Sequence, residues 1–144
     1  MMNTPTYGKN HLSLRDGGWT TADGKLAPEH DAAHVHLGGD WRIPTKQDLA
    51  DLGSKCYWTW RTVNGVQGYV VTGKGAYASV SIFLPAAGYG NGTMLNDVGS
   101  YGNYWSSIPG SGSDKAWYRD FRQSNRFTNS SSRDYGRSIR PVHP

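Results

Sequence analysis

Side chains that suit molecular recognition dominate the last quarter of the sequence. Residues 118–138 are mostly Arg, Ser, Asn, Asp and Tyr, and they include no Ala, Val, Leu, Ile or Met. A segment without aliphatic side chains cannot fill a core, so its side chains must face water or a partner. Binding surfaces favour Tyr, Arg, Ser and Asn, which combine rigid amphipathic contacts with adaptable hydrogen bonds. The pattern therefore predicts non-covalent binding of a ligand.

Three kinds of side chain make up the predicted binding face, which joins this segment to the turn at 101–104. Aromatic residues would anchor a ligand, arginines would supply charge and bidentate hydrogen bonds, and small polar residues would adapt to its shape. The residues predicted to bind the ligand are Tyr101, Asn103, Trp117, Tyr118, Arg119, Arg122, Ser124, Asn125, Arg126, Phe127, Asn129, Ser130, Ser131, Arg133, Asp134 and Tyr135.

The orientation of the strand at 116–121 stays open at the level of sequence. Because side chains alternate along a strand, Trp117, Arg119 and Phe121 would share one side and Tyr118 and Asp120 the other. Nothing in the sequence decides which of these two sides faces outward.

Metal binding and catalysis have little support in the sequence. His30 and His34 are four residues apart and would share one face of a helix, with His36 nearby. No cysteine or carboxylate completes a familiar ligand set, so we interpret the histidines as exposed polar positions and predict no metal site. The sequence also lacks a nucleophile elbow, a zinc-binding helix and a phosphate loop, so no catalytic residue and no cofactor is predicted. Cys56 is the only cysteine and is expected to pack among its aromatic neighbours.

Composition restricts the classes of protein and partner. A chain of 144 residues is expected to form one domain with a core of its own. The net charge of +4 comes from scattered Arg and Lys without a dense run, so no nucleic-acid partner is expected. The sequence as given has no apolar run typical of a transmembrane helix or a secretory signal, so we expect no direct membrane insertion.

The elements that must position these side chains begin with a polar, glycine-rich arm. Residues 1–25 are predicted to form an irregular arm of the same domain, with a short strand near 12–14. Residues 26–144 are predicted to form the ligand-binding domain. Within it, the patterns indicate one helix at 29–37 and a second at 46–55.

Cap and turn signals support the later boundaries. Thr45 and Asp48 have the spacing of a capping box at the start of the second helix, and Asn64-Gly65 is a strong hairpin turn. The predicted class is α+β, with two helices packed on short twisted antiparallel strands joined by long loops. Strands are predicted at 58–62, 68–72, 78–84 (the central one), 102–107, 116–121 and 136–142, with a surface hairpin or loop at 125–132.

Five motifs occur in an order that resembles a known family. They are Gly-Gly-Asp-Trp-Arg-Ile-Pro-Thr at 38–45, Cys-Tyr-Trp-Thr-Trp at 56–60 with its hairpin to 73, Ser-Ile-Phe-Leu-Pro-Ala-Ala-Gly-Tyr at 81–89, Gly-Asn-Tyr-Trp-Ser-Ser at 102–107 and Gly-Arg-Ser-Ile-Arg-Pro-Val at 136–142. This order resembles the Fibrobacter-type major paralogous domain of gut Bacteroidetes and their phages. That family overlaps with the variable proteins of diversity-generating retroelements. The resemblance implies a C-type-lectin-like fold and a location on a cell surface or a phage virion.

The retroelement resemblance makes a prediction about residue types. Such systems copy adenines with errors, so Asn codons AAC and AAT scatter to codons that end in a pyrimidine and cannot encode Lys, Glu, Gln, Met or Trp. Residues 118–135 contain no Lys, Glu, Met or Trp, and only Gln123 departs from the rule. The resemblance therefore implies that this segment is a variable binding face.

The function expected is recognition of a protein or glycan on a cell surface, with an oligomer possible. The alternative is a carbohydrate-binding or adhesive surface or phage-fibre domain without diversification. The motifs of calcium-dependent sugar-binding lectins are absent, which argues against calcium-mediated sugar binding, and a structural ion stays open. An enzyme like the formylglycine-generating branch of the fold is disfavoured, because those enzymes use paired cysteines and this chain has only Cys56. The chain is not expected to be an enzyme.

Overall fold

The computed structural model describes residues 11–112 and 114–144, so the first ten residues of the predicted arm lie outside the described chain. The described residues form three short α-helices and eight strands. The helices are α1 (His11–Asp16), α2 (Ala32–Leu37) and α3 (Lys46–Lys55). The strands are β1 (Tyr57–Val63), β2 (Val66–Thr72), β3 (Ser81–Pro85), β4 (Tyr89–Asn91), β5 (Met94–Asn96), β6 (Gly102–Pro109), β7 (Lys115–Arg122) and β8 (Asn125–Ser132).

Helix α3 begins and ends at the residues predicted for it, because its cap is written in local sequence. The Thr45 hydroxyl accepts the Asp48 N–H at 3.1 Å, and the Asp48 carboxylate accepts the Thr45 N–H at 2.7 Å. This reciprocal capping box satisfies two backbone donors that a helix start otherwise leaves open. The apolar face of α3 buries Leu49, and the helix contacts β6, β7 and β8.

The two elements predicted before α3 in the chain, a helix at 29–37 and a strand near 12–14, are wrong in extent or in kind. The helix predicted at 29–37 is a 3₁₀ turn at Pro28–His30 followed by the six-residue α2. Asp31 interrupts it, because its carboxylate caps α2 and also accepts the N–H of Ile43 at 2.8 Å. The strand predicted near 12–14 is instead part of α1, whose Leu14 is buried.

Three small antiparallel sheets carry most of the structure. β1, β2 and β3 form the first sheet, β4 and β5 a two-stranded hairpin, and β6, β7 and β8 the third sheet. The hairpin between β1 and β2 turns at Asn64 and Gly65, which both have positive φ as a tight two-residue turn requires. β3 is an edge strand of its sheet and β2 is central, so the central position predicted for 78–84 is wrong.

The predicted α+β class, with two helices packed on strands in a C-type-lectin-like arrangement, is also wrong. Strands account for 42% of the residues that the structure describes and helices for 20%, which makes this a β-rich small domain. Two of the three α-helices have only six residues each. The segment at 125–132, predicted as a surface hairpin or loop, is the full strand β8, whereas 136–142, predicted as a strand, contributes only isolated bridges.

An aromatic core holds the first and third sheets together. Phe121 is fully buried, and its ring packs against the rings of Trp58, Tyr69 and Tyr104 at centroid distances of 5.4–5.8 Å. Gly102 faces this ring, and a Cβ at Gly102 would lie 2.0 Å from Phe121 Cζ. Cys56 is half-buried against the same core. No helix in the described residues is both long enough and apolar enough to cross a membrane.

Candidate binding site

One face of the β6–β7–β8 sheet, here called the inner face, lies against helix α3 and the core. Trp117, Arg119 and Phe121 of β7 point to this face. The Lys46 ammonium sits 3.4 Å from the centre of the Trp117 ring. The Arg119 guanidinium lies against Gly53 of α3 so closely that a Cβ there would be 2.6 Å from Nη2. The β8 residues that pair with these three positions are Ser130, Thr128 and Arg126.

The opposite face, here called the outer face, carries Tyr118, Asp120 and Arg122 of β7. Register places Asn103 of β6 beside Asp120, and Trp105 beside Tyr118. This arrangement decides the orientation that the sequence left open. The β8 residues of the outer face, opposite Ala116, Tyr118, Asp120 and Arg122, are Ser131, Asn129, Phe127 and Asn125.

A cavity of about 330 Å³ lies on the outer face, below β4 and the segment at 135–137. Isolated bridges from Gly90 to Gly136 and from Tyr104 to Ser138 hold that segment over the sheet. The position of the cavity therefore depends on main-chain pairing. The cavity is lined by Tyr89, Asp97, Tyr101, Asn103, Tyr118, Asp120, Ser131, Tyr135 and Arg137.

Arg137 is the central charged group of this cavity. Its guanidinium carbon lies 3.8 Å from the centre of the Tyr118 ring, and Nη1 donates a hydrogen bond to Asn103 Oδ1 at 2.9 Å. Burial lowers its pKa from the ordinary value of an arginine. Three more rings surround the guanidinium carbon, at 4.7 Å for Trp105, 5.3 Å for Tyr135 and 5.7 Å for Tyr89. The rings hold the cation in place through cation–π attraction.

Asp120 lies in the same cavity and is not paired with Arg137. No ion pair within the described residues includes either side chain. Partial burial raises the pKa of Asp120, and the charges of Arg137, Arg122 and Arg119 offset part of that effect. The carboxylate is therefore held close to positive charge without a direct partner.

Three buried polar atoms of this cavity have no hydrogen-bond partner in the described chain. They are Asn103 Nδ2, Asp120 Oδ1 and Arg137 Nε. Asn103 is only 4% exposed, although an amide of this kind is normally paired when buried. All three atoms are covered by surrounding protein atoms and have almost no accessible surface toward the cavity.

The open part of the outer face continues from the cavity toward the turn between β7 and β8. Arg122 donates from Nη1 to the Tyr101 hydroxyl at 2.6 Å and from Nε to Asn125 Oδ1 at 2.8 Å. Below them the Tyr69 hydroxyl lies 3.1 Å and 3.0 Å from the carbonyl oxygens of Arg122 and Gln123, which anchors the turn on the core. Phe127 is 48% exposed on this surface.

The residues predicted from sequence to bind a ligand therefore fall into three places. Nine lie at the cavity or on the outer face: Tyr101, Asn103, Tyr118, Arg122, Asn125, Phe127, Asn129, Ser131 and Tyr135. Four lie on the inner face, toward α3: Trp117, Arg119, Arg126 and Ser130. Three lie in turns: Ser124 and Asp134 are exposed, and Arg133 donates to the Lys115 carbonyl at 3.1 Å.

Sequence reasoning missed four residues that line the cavity. Asp120 could have been found from the sequence, because side chains alternate along a strand and Asp120 therefore lies on the same face of β7 as Tyr118. Arg137 lies in the Gly-Arg-Ser-Ile-Arg-Pro-Val motif, which carries the family resemblance and gives no signal of a cavity. Tyr89 and Asp97 come from the hairpin of β4 and β5, which only the tertiary structure brings over β7.

The histidines considered for a metal do not form a common site. His30 belongs to the 3₁₀ turn and stacks on Trp19 at 4.0 Å, whereas His34 and His36 belong to α2. Asp31 between them is engaged as the cap of α2. Within the described residues, no cluster of three or more His, Cys, Asp or Glu is arranged to hold a metal ion.

Comparisons with known proteins give a family without an activity. No curated protein and no solved structure matches the chain. One family matches residues 33–142, a span that runs from the start of α2 to the bridge at Val142 and includes every strand of the three sheets. The chain therefore belongs to the family described as a domain of unknown function, DUF8237.

Proposed function

We propose that this domain binds a ligand on a cell surface without covalent chemistry, through the outer face of the β6–β7–β8 sheet. The observation that carries the proposal is the cavity on that face, which combines the aromatic rings of Tyr89, Tyr101 and Tyr135 with the charged groups of Asp120 and Arg137. A concave site that combines aromatic side chains with a few polar groups is typical of ligand binding.

The open surface beside the cavity supports the same proposal. Phe127 offers an exposed aromatic side chain, and Arg122 is held in place by Tyr101 and Asn125. Aromatic residues and arginines are the side chains that most often dominate binding energy. An arginine that is already oriented loses less conformational entropy when it binds.

Cell binding by the purified, fluorescently labelled domain tests this proposal. The double variant Arg122→Ser with Phe127→Ser is expected to reduce binding to intact gut Bacteroidetes cells about tenfold or more. The matched control is Arg61→Ser with Tyr57→Ser, which removes an exposed arginine and an exposed aromatic residue from β1. Equal binding by both double variants, or no binding by the unmodified domain to any strain tested, would contradict the proposal.

We also propose that the segment at 118–135 is diversified by a retroelement, as the family resemblance implies. The residue types there support the proposal, and so does the architecture of β8. Main-chain pairing to β7 runs along all eight residues of β8, so exposed side chains such as Phe127 and Asn129 can change without loss of the strand. Phe121 cannot change in this way, because it is fully buried in the core.

Sequencing the locus in many isolates tests diversification. Substitutions are expected at adenines in the codons of outer-face residues, with Phe121 unchanged, and a near-copy of the 3′ end is expected beside a reverse transcriptase. A fixed sequence without a template copy would leave the binding proposal in place and remove diversification.

The second candidate function is carbohydrate binding without diversification. The tyrosine-rich lining of the cavity favours it, because aromatic rings and polar groups together suit a ligand with both apolar and hydroxylated surface. A glycan array separates this candidate from a binder of protein surfaces.

A further inference from the structure

We infer that the free edge of β1 binds an extended, acidic peptide segment of a partner protein, which adds to the first sheet as an antiparallel fourth strand. This surface is distinct from the outer face of the β6–β7–β8 sheet, so the inference goes beyond the proposed function and does not depend on it. The surface consists of the outward main-chain groups of Trp58, Trp60 and Thr62 and the side chains of Arg119 and Arg126 beside Trp58.

The register of β1 shows which of its main-chain groups are unused. The strand pairs only with β2, and the order of the first sheet leaves its other side open. The two-residue turn makes Val63 and Val66 a hydrogen-bonded pair, and such pairs alternate with non-hydrogen-bonded ones along an antiparallel ladder. The N–H and C=O groups of three β1 residues therefore point away from β2: Trp58, Trp60 and Thr62.

A hydrogen bond on the far side of β2 agrees with this orientation. The Gln67 carbonyl accepts the Ala86 N–H at 2.8 Å on the β3 side of the sheet, and Gln67 is opposite Thr62 in the register. The main-chain groups of Trp58, Trp60 and Thr62 take part in no hydrogen bond within the described residues. Each residue leaves one donor and one acceptor available to an added strand.

β1 also lacks features that keep other edge strands from pairing. Natural edges are often protected by proline, by bulges or by covering segments. β1 contains no proline and pairs with β2 without a register shift over all seven residues. On edge strand β8, in contrast, the Asn129 side chain accepts the Ser130 N–H at 2.9 Å, and edge strand β3 ends in Pro85. β1 is therefore well suited to strand addition, in which main-chain hydrogen bonds supply affinity.

The charges beside this edge favour an acidic partner. The guanidinium carbons of Arg126 and Arg119 lie 5.2 Å and 5.4 Å from the centre of the Trp58 ring. Neither arginine forms an ion pair within the described residues. The strands β1, β2, β3 and β8 contain no Asp or Glu, and Asp120 lies on the opposite face of β7. A carboxylate beside Trp58 would therefore meet two arginines that have no ion-pair partner.

The same charges disfavour a second copy of this chain as the occupant. Two β1 strands paired about Trp60 would place Trp58 of one copy opposite Thr62 of the other, and no residue of β1 is acidic. Each chain also carries a formal net charge of +4, which opposes self-association. An acidic segment of another protein supplies the complementary charge that a second copy lacks.

Fluorescence anisotropy with labelled heptapeptides tests the inference. The probe Thr-Val-Thr-Val-Thr-Glu-Thr, paired antiparallel about Trp60, places its glutamate opposite Trp58. It is expected to bind about tenfold more tightly than the same peptide with lysine in place of glutamate. A third peptide, N-methylated at its second, fourth and sixth residues, has no donors for β1 and should not bind. Equal binding of the glutamate and lysine peptides, binding of the N-methylated peptide, or binding of none would overturn the inference.

The variant Thr62→Pro assigns the peptide to the free edge. Proline removes an N–H that points away from β2, and edge strands tolerate proline at such a position. The Kd of the glutamate peptide is expected to rise about tenfold or more. The matched control Thr62→Ala keeps the N–H and should leave the Kd within about twofold. Circular dichroism verifies that both variants are folded, and equal affinity of the two folded variants would place the peptide elsewhere and overturn the inference.

The variant Arg126→Ser tests the predicted charge of the partner. It should raise the Kd of the glutamate peptide about threefold, as expected for an exposed ion pair. The matched control Arg61→Ser removes the same charge from the opposite face of β1 and should have less than half that effect. Equal effects would indicate non-specific attraction and overturn the acidic partner. A dimer of the domain that Thr62→Pro abolishes, without peptide binding, would identify a second copy as the occupant and also overturn the inference.

Discussion

Asp120→Asn is expected to stabilise the folded domain at neutral pH. The carboxylate is partly buried, its Oδ1 has no hydrogen-bond partner, and its pKa is raised mainly by burial. A raised pKa in the folded state means that folding favours the protonated, neutral carboxyl. An amide reproduces that neutral form at every pH. The substitution therefore removes the free-energy cost of burying the charged carboxylate.

The magnitude follows from the unpartnered oxygen. A buried polar group without a partner costs about 1–3 kcal/mol, and the lower end applies because Asp120 is only partly covered and three arginines offset the cost. A gain of about 1 kcal/mol in the free energy of unfolding corresponds to a rise in Tm of roughly 3 °C in a domain of this size.

The pH dependence has a definite sign. Because the folded domain favours the protonated Asp120, this carboxyl stabilises the fold most below its pKa in the unfolded chain, near 3.8. That contribution to the free energy of unfolding is lost as pH rises through the higher pKa of the folded state. The difference in Tm between Asp120→Asn and the unmodified domain should therefore be small in acid and grow toward neutral pH. Thermal unfolding followed by circular dichroism over a pH series measures it.

Asp51→Asn serves as a control with the opposite sign. The pKa of Asp51 is lowered by hydrogen bonds from Lys55 and Gln47, so its contribution is present above the unfolded pKa and is lost as pH falls. This variant should lower Tm slightly at neutral pH and have no effect in acid. A lower Tm for Asp120→Asn at neutral pH, or a pH profile like that of Asp51→Asn, would refute the reasoning.

Three further predictions concern the scaffold. Gly102→Ala should destabilise the domain by about 2–4 kcal/mol in urea unfolding, because the added Cβ would lie 2.0 Å from the buried Phe121 ring. A loss of less than about 1 kcal/mol would contradict this packing. Thr45→Ala should cost about 1 kcal/mol in the same assay through loss of the cap shared with Asp48, and an unchanged urea midpoint would argue against it. Burial raises the pKa of Tyr104 to about 12, so the contribution of its neutral hydroxyl to the free energy of unfolding is present below pH 10.0 and is lost as pH rises toward 12. Ultraviolet difference absorbance of tyrosinate measures this titration. A Tyr104→Phe variant with the same alkaline titration as the unmodified domain would contradict the assignment.

Sequence signals predicted those elements that depend only on contacts between residues close together in the chain. The capping box of Thr45 and Asp48 and the turn at Asn64-Gly65 both act over at most three residues, so their residue types were enough. The helix predicted at 29–37 fails for the opposite reason. Asp31 accepts from the N–H of Ile43, a residue twelve positions away, and this long-range contact ends one short element and begins the next. A fold class inferred from two full helices was therefore wrong.

The expectation that residues 118–138 contribute nothing to a core is wrong at Phe121 and Tyr118, which are 0% and 8% exposed, because aromatic rings fill a core as aliphatic side chains do. The sequence by itself did determine that β7 has two different faces, because side chains alternate along a strand. Only the tertiary structure decided which of those faces packs on α3. It also placed Arg137, Tyr89 and Asn103 around Tyr118 and Asp120, from strands and loops far apart in the chain. The physical reason is that periodicity repeats within one strand, whereas a cavity depends on the register between strands and on the segments that cross above them.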